Sequence, residues 1–464
     1  MIFEDRRVGI AGLGVSGRAA AAALEPLGAD LCLIDDVADG ARRPDQVELE
    51  TLDLLVVSPG WAPSSPLLRA AREAGLPIWS EVELAWQLRA NPAAPWLAVT
   101  GTNGKTTAVS MLAAMLKAGG ATARAAGNVG DPLVTAVLAE DVEVFAVELS
   151  SFQLHHTHSM RALASVVLNV APDHLDWHGS RKAYAADKAR VWHGVQDALV
   201  YNADDLGAAR LAKAAKAADA ARPARPVSFT LRAPRLGQLG VVDGLLVDRA
   251  FSERRYRHAE ALASFDDLNH LAGPDGRVAP HLAANALAAS ALALAYGTPP
   301  DAIGGALSGF HLGAHRLAKV GAAGGVRFVD DSKATNAHAA AAALASFPAG
   351  SVVWIAGGLA KGATFETLVT DRADRLKGAV LIGLDHAALA TALAGRAPQV
   401  PVVEVEPGPE VMDRAVKAAV GLADAGDSVL LAPAGASMDQ FESYADRGRQ
   451  FADAVARLGG ANVA

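Results

Sequence analysis

Thr100-Gly101-Thr102-Asn103-Gly104-Lys105-Thr106-Thr107 carries the plainest chemical signal in this chain. Gly101, Thr102, Asn103 and Gly104 form a turn that can curl its backbone N–H groups around an anion. Lys105 adds a cation for β- and γ-phosphates, and a hydroxyl at Thr106 or Thr107 can reach a phosphate-bound Mg²⁺. The general phosphate-loop pattern has another glycine five residues before Gly104; here that position is Val99, so the loop is a shortened one. The chemistry is that of a nucleoside triphosphate site.

Other polar residues fall where apolar runs end. Val144-Phe145-Ala146-Val147 runs into Glu148-Leu149-Ser150-Ser151, which offers a carboxylate where an NTPase holds Mg²⁺. Ser165 to Leu168 leads to Asp173-His174, and Ala126-Gly127-Asn128 presents an amide. Near the N-terminus, Gly12-Leu13-Gly14-Val15-Ser16-Gly17 precedes Asp35-Asp36 with the spacing of a dinucleotide fingerprint, which an NAD or a UDP group satisfies equally. Further on stand His315-Arg316, Asp331-Ser332-Lys333-Ala334-Thr335-Asn336, Lys361, and Ser437-Met438-Asp439-Gln440-Phe441. His155-His156-Thr157-His158 has no further ligand at recognisable spacing and is expected to be a polar surface turn. Lys188 lies among alanines in a helical stretch, which composition alone reads as a surface lysine.

These residues need strand ends to hold them. Alternating apolar runs and helical patterns predict an α/β fold of three domains. Residues 1–92 read as a Rossmann-like unit, 93–297 as a central P-loop ATPase-like α/β unit, and 298–464 as a second Rossmann-like, doubly wound sheet. Asn91-Pro92-Ala93-Ala94-Pro95 is the candidate linker, residues 203–222 an exposed helix, and about 225–280 an irregular stretch with a short β ribbon. A hydrophobic content of 51% with 20% charged residues describes a folded chain. The net charge of −8 disfavours nucleic acid as the main partner. No long apolar run predicts a membrane span, and the lone cysteine, Cys32, fits a reducing compartment, so the expectation is a cytoplasmic protein.

Together these stretches resemble the Mur ligases, ATP-dependent amide-forming enzymes of peptidoglycan synthesis. The short phosphate loop, Glu148 to Gln153, Asp173-His174 and His315-Arg316 match across the chain, while Asp331 to Asn336 and Ser437 to Phe441 resemble the branch that adds D-glutamate. The resemblance implies UDP-N-acetylmuramoyl-L-alanine and D-glutamate as substrates, ATP as energy source and two Mg²⁺ ions. It implies that Val15, Ser16, Asp35, Asn128, Ser150 and His174 hold the UDP-sugar substrate. Lys105, Thr106 and Thr107 would serve the ATP phosphates, with Asn285, Arg316 and Asp331 as further ATP contacts. Thr106, Glu148, His174 and a Lys188 carbamylated by CO₂ would be metal ligands, with Lys105, Glu148, His174 and Lys188 catalytic. Lys333, Thr335, Lys361, Ser437 and Tyr444 would surround D-glutamate, and a monomer is expected. The chain departs from the family where His281-Leu282 replaces a His-Asn pair, with Asn285 kept. Val37 stands where a basic residue can meet UDP, and Tyr444 where phenylalanine is common. Rival readings are another amide ligase of the same superfamily, an NAD-dependent oxidoreductase and an ATP-driven switch.

Overall fold

Short runs such as Leu54–Val57 and Trp96–Thr100 are buried along their whole length, as parallel strands covered by helices on both faces must be. The structure, a computed structural model, describes residues 3–90, 93–139, 141–218, 224–273, 276–360 and 362–460. Three sheets result. The first is all parallel, in the order Asp30–Ile34, Arg7–Ala11, Leu54–Val57, Ile78–Ser80. The third runs Ala318–Ala323, Val326–Asp330, Ser428–Ala434, Val352–Gly357, Leu376–Ile382, Val402–Glu404, parallel except for its first strand.

The middle sheet has nine strands. At its centre the phosphate-loop strand Trp96–Thr100 lies between Val144–Glu148 and Ala164–Val167, all parallel. Ala123–Gly127 closes one edge. On the other side Ala198–Asn202, Arg225–Phe229 and Gln238–Val242 continue in parallel, and Leu245–Asp248 and Glu260–Ser264 finish antiparallel. The stretch expected to be irregular therefore builds the sheet's far edge. Its prolines and glycines fall largely in the turns between strands rather than preventing them. The helix Leu206–Ala218 buries Ala208 and Ala212 and so is amphipathic rather than wholly exposed.

The chain packs into two compact units: Met1–Asp267 with Leu282–Phe310, and Leu268–His281 with His311–Ala464. Within the first unit, polar contacts bind the N-terminal sheet to the nine-stranded one. Ser80 N donates to His156 O at 2.9 Å, and the Ser80 and Thr157 hydroxyls lie 2.9 Å apart. Glu83 accepts from His158 N at 2.7 Å and Ser159 N at 3.0 Å. The histidine run is thus a joint with His156 and Thr157 buried and His158 exposed, which corrects the expected surface turn: its partners lie about 75 residues upstream, where no local pattern can announce them. Burial drives the His156 imidazole pKa down to about 3. Glu81 is buried in the same joint, accepts from Val134 N at 2.6 Å, and is pushed up by burial to about 7. Among the described residues, no helix is long and apolar enough to cross a membrane.

Candidate active site

Gly104 stands directly before the helix Lys105–Ala118 with φ +85°, a conformation that favours glycine. A Cβ there would sit 2.5 Å from Oδ1 of Asn285, so the buried amide of Asn285 packs directly against the loop. Asn169 clamps the loop from the next strand. Its Oδ1 accepts from Asn103 N at 2.9 Å and its Nδ2 donates to Asn103 O at 3.0 Å. Thr102 is buried, its Oγ1 2.9 Å from the Tyr184 hydroxyl and accepting from Ala171 N at 3.0 Å. Lys105 Nζ donates to the carbonyls of Gly101 and Thr102, both at 3.0 Å. Thr107 is buried and Thr106 half-buried, which leaves the Thr106 hydroxyl the more accessible of the two.

Around this loop lie the other residues expected at the reaction centre. Glu148 is 2% exposed; Asn128 Nδ2 donates to its Oε1 at 2.9 Å, and its Oε2 has no hydrogen-bond partner among the described residues. A buried carboxylate oxygen left in that state suits a cation. Lys188 is buried too: its Nζ donates to Gly101 O at 2.9 Å and lies 4.5 Å from the centre of the Tyr184 ring. Burial, reinforced by the charge of Lys105, pulls its amine well below the usual lysine range. The surface-lysine reading is overturned. Composition misleads because this helix buries a lysine and an aspartate beside Tyr184.

His174 has φ +52°, and its ring packs against Phe152 at 4.7 Å. No group of three or more His, Cys, Asp or Glu side chains among the described residues could hold a metal. Mg²⁺ fits the donor set only in the way it usually binds, with one or two protein carboxylates, a hydroxyl, water and substrate phosphates.

At the N-terminal sheet, Gly12, Gly14, Val15, Ser16, Asp35, Val37 and Trp61 border a cleft of about 570 Å³. Asp35 braces the glycine turn there. Its Oδ2 accepts from Leu13 N at 2.7 Å and its Oδ1 from Val37 N and Ala38 N at 3.0 and 3.1 Å, which lowers its pKa. Ser150 caps the helix Ser151–His155 in a reciprocal pair with Gln153.

The second unit holds the remaining candidates. Asp331 accepts from Leu317 N at 3.1 Å, and burial raises its carboxyl to about 8. Lys333 Nζ lies 3.3 Å from the Tyr444 hydroxyl, and Thr335 N donates to Lys333 O at 2.9 Å. Ser437 is buried, and Lys361 lies outside the described residues. Arg447 is fully buried and ties two of these loops together, donating to Ser332 Oγ, Ser332 O and Gly435 O at 3.0, 2.9 and 3.1 Å.

Residues 99–229 match the Mur ligase middle domain and residues 315–435 the Mur ligase glutamate ligase domain. A UDP-N-acetylmuramoylalanine–D-glutamate ligase from Streptomyces avermitilis is 50% identical, over 98% of this chain and 99% of that protein. The chain belongs to the Mur ligase family. A relative of the same name from Frankia casuarinae is 51% identical over 96% of this chain and 93% of its own length. Two Mur ligase crystal structures from Thermotoga maritima share the fold at 16% identity and a TM-score of 0.56. One is a UDP-N-acetylmuramate–alanine ligase covering 99% of both chains; the other, in complex with ADP, covers 99% of this chain and 96% of its own.

Asn169, Tyr184 and Arg447 hold the candidate loops in place, and motif reading did not assign them. Asn169 had a signal, an amide at a strand's carboxyl end. Tyr184 and Arg447 lie in ordinary helical stretches, and only their long-range partners reveal them.

Proposed function

We propose that this chain is an ATP-dependent ligase that joins D-glutamate to the alanyl carboxyl of UDP-N-acetylmuramoyl-L-alanine in peptidoglycan precursor synthesis. The observation that carries this reading is near-full-length likeness, at 50% identity, to a relative named for that reaction. The reading places the enzyme in the cytoplasm and gives each sheet one ligand: residues 1–92 the UDP group, 93–297 ATP and 298–464 the amino acid.

The alanyl carboxylate attacks the γ-phosphorus of ATP, forming an acyl phosphate and releasing ADP. The amine of D-glutamate then attacks the acyl carbon and phosphate leaves with the C–O bond's electrons. Loop amides and Lys105 hold the phosphates and offset the repulsion between two anions. Bound Mg²⁺ would neutralise charge on the transferring phosphoryl group, held by Thr106, Glu148, His174 and a carbamate on Lys188. Burial favours the neutral amine that carbamylation needs. Nζ attacks CO₂, one N–H proton leaves to water, and an anionic oxygen ligand replaces a cation. Val15, Ser16, Asp35, Asn128 and Ser150 bound the UDP-sugar site, with Asn285, Arg316 and Asp331 completing the ATP site. Lys333, Thr335, Lys361, Ser437 and Tyr444 receive D-glutamate, whose two carboxylates match the two lysines.

The test is phosphate release from ATP with UDP-N-acetylmuramoyl-L-alanine, comparing D-glutamate with L-alanine, L-lysine, meso-diaminopimelate and no amino acid. Release with D-glutamate alone, with a product heavier by one glutamyl residue, is expected. Release with a different amino acid would overturn the assignment of the third sheet, and no release at all would overturn the ligase reading.

A further inference from the structure

Asp187 precedes Lys188 on the helix Arg181–Ala189, and adjacent helical side chains diverge by about 100°. Lys188 turns to the phosphate loop; Asp187 turns to two other helices. Its Oδ2 lies 2.9 Å from Nδ1 of His155, at the end of Ser151–His155, and 2.9 Å from Nδ1 of His178, at the end of Leu175–His178. Its Oδ1 lies 3.3 Å from Nε of Arg190. An ionised carboxylate only accepts, so both imidazoles carry a proton on Nδ1. The other ring nitrogen of His178, Nε2, lies 2.9 Å from the Ser151 hydroxyl. The His178 side chain is fully buried and Asp187 is 5% exposed. His178 also stacks on Phe152 at 5.5 Å and 11° between planes, and Phe152 packs against His174.

Two of the residues read above as metal ligands therefore lean on this one side chain, besides Gly101 O for Lys188 and Asp173 for His174. Lys188 does so by adjacency on its helix, and His174 through Phe152 and His178. We propose that Asp187, acting through His155 and His178, is the positioning residue that sets where the Lys188 nitrogen and the His174 ring lie. This rests on the reading of Lys188 as a carbamate carrier. The charge type matters as well as the size. An asparagine whose oxygen keeps both imidazole N–H groups sets its NH₂ against the Nε–H of Arg190, and one turned over sets it against both imidazoles, so a donor faces a donor either way.

The experiment compares the full-length wild-type protein with Asp187→Asn, using ¹³C NMR in ¹³C-bicarbonate to see a lysine carbamate and an electron-spin titration with Mn²⁺ alone to read metal affinity. Asp187→Asn is expected to lose the carbamate resonance and bind Mn²⁺ about 10- to 100-fold more weakly. Its KM for D-glutamate should stay within about twofold, which a general loss of structure would not spare. Two further variants separate the role from folding. His178→Asn keeps an N–H donor toward Asp187 and should retain the carbamate. His178→Gln loses that donor and should follow Asp187→Asn. Unchanged carbamate and Mn²⁺ affinity in Asp187→Asn, or identical behaviour of the two His178 variants, overturns the proposal. A wild-type protein with no carbamate resonance overturns the Lys188 reading itself.

Discussion

Replacing Gly104 with alanine puts a number on how tightly the phosphate loop is built. Two costs can be separated. A side chain at φ +85° costs about 1–2 kcal/mol in backbone strain. The new Cβ would also stand 2.5 Å from Oδ1 and 3.1 Å from Nδ2 of Asn285, which is buried and cannot swing clear, so overpacking adds about 1–3 kcal/mol. To the extent that the free variant loop relieves both costs by relaxing, binding must restore its shape, and they appear in affinity. The sum, about 2–5 kcal/mol, weakens ADP binding by roughly 30-fold to several-thousand-fold. Calorimetric titration with ADP measures it. The decisive comparison repeats Gly104→Ala in an Asn285→Ala background, where only the backbone cost remains, about 5- to 30-fold. An equal penalty in both backgrounds would refute the packing of Asn285 against Gly104.

Glu148→Gln keeps the shape of the buried side chain and removes its charge. The kcat should fall by about 10²-fold or more, while ADP affinity without metal is unchanged. Glu81 gives a pH signature. Its folded pKa of about 7 is raised above the unfolded value, so its contribution is fully present below about pH 4.5 and is lost as pH rises through 7. Glu81→Gln, which can still accept from Val134 N, should therefore melt at the same temperature as wild type near pH 4.5 and higher at pH 8, a difference of up to about 3 kcal/mol. A gap that is the same at both pH values would contradict this. Arg447→Lys removes part of the staple between the Ser332 and Gly435 loops and should raise KM for D-glutamate about tenfold with ATP affinity unchanged. Equal losses for both ligands would assign Arg447 to general stability.

What was legible in the sequence was local. The phosphate loop, the strands that end in Glu148 and Asn169, and the alternation building the third sheet all announce themselves within a dozen residues. What was not legible depends on partners far away in the chain. His155 to His158 read as a surface turn because Ser80 and Glu83, which bond to it, belong to a strand and a helix far upstream in the chain. Lys188 read as solvated because it stands among alanines on a helix with no large aliphatic face; Gly101, 87 residues earlier, holds its amine. The edge of the nine-stranded sheet looked irregular because its strands are short and separated by turn residues; each nevertheless pairs with its neighbour, the last with a register shift at Leu246 and Val247. Asp35 also has a local task that its spacing did not announce, since its oxygens brace the glycine turn.

The threading of the chain through its two compact units has a practical consequence. Residues 268–281 pack with 311–464, yet Leu282–Phe310 intervenes and packs with the first unit. Among the described residues, His270 meets His311 at 5.7 Å, and His281 feels the charges of His338 and Arg316. A cut made cleanly after Phe310 would therefore take from the second unit a piece of its own packing and leave it hanging from the first. Peptide-bond cleavage at that point should leave two fragments that stay associated under native conditions. Expressed separately, the halves should recognise each other by complementation, and residues 311–464 made alone should need residues 268–281 supplied as a peptide.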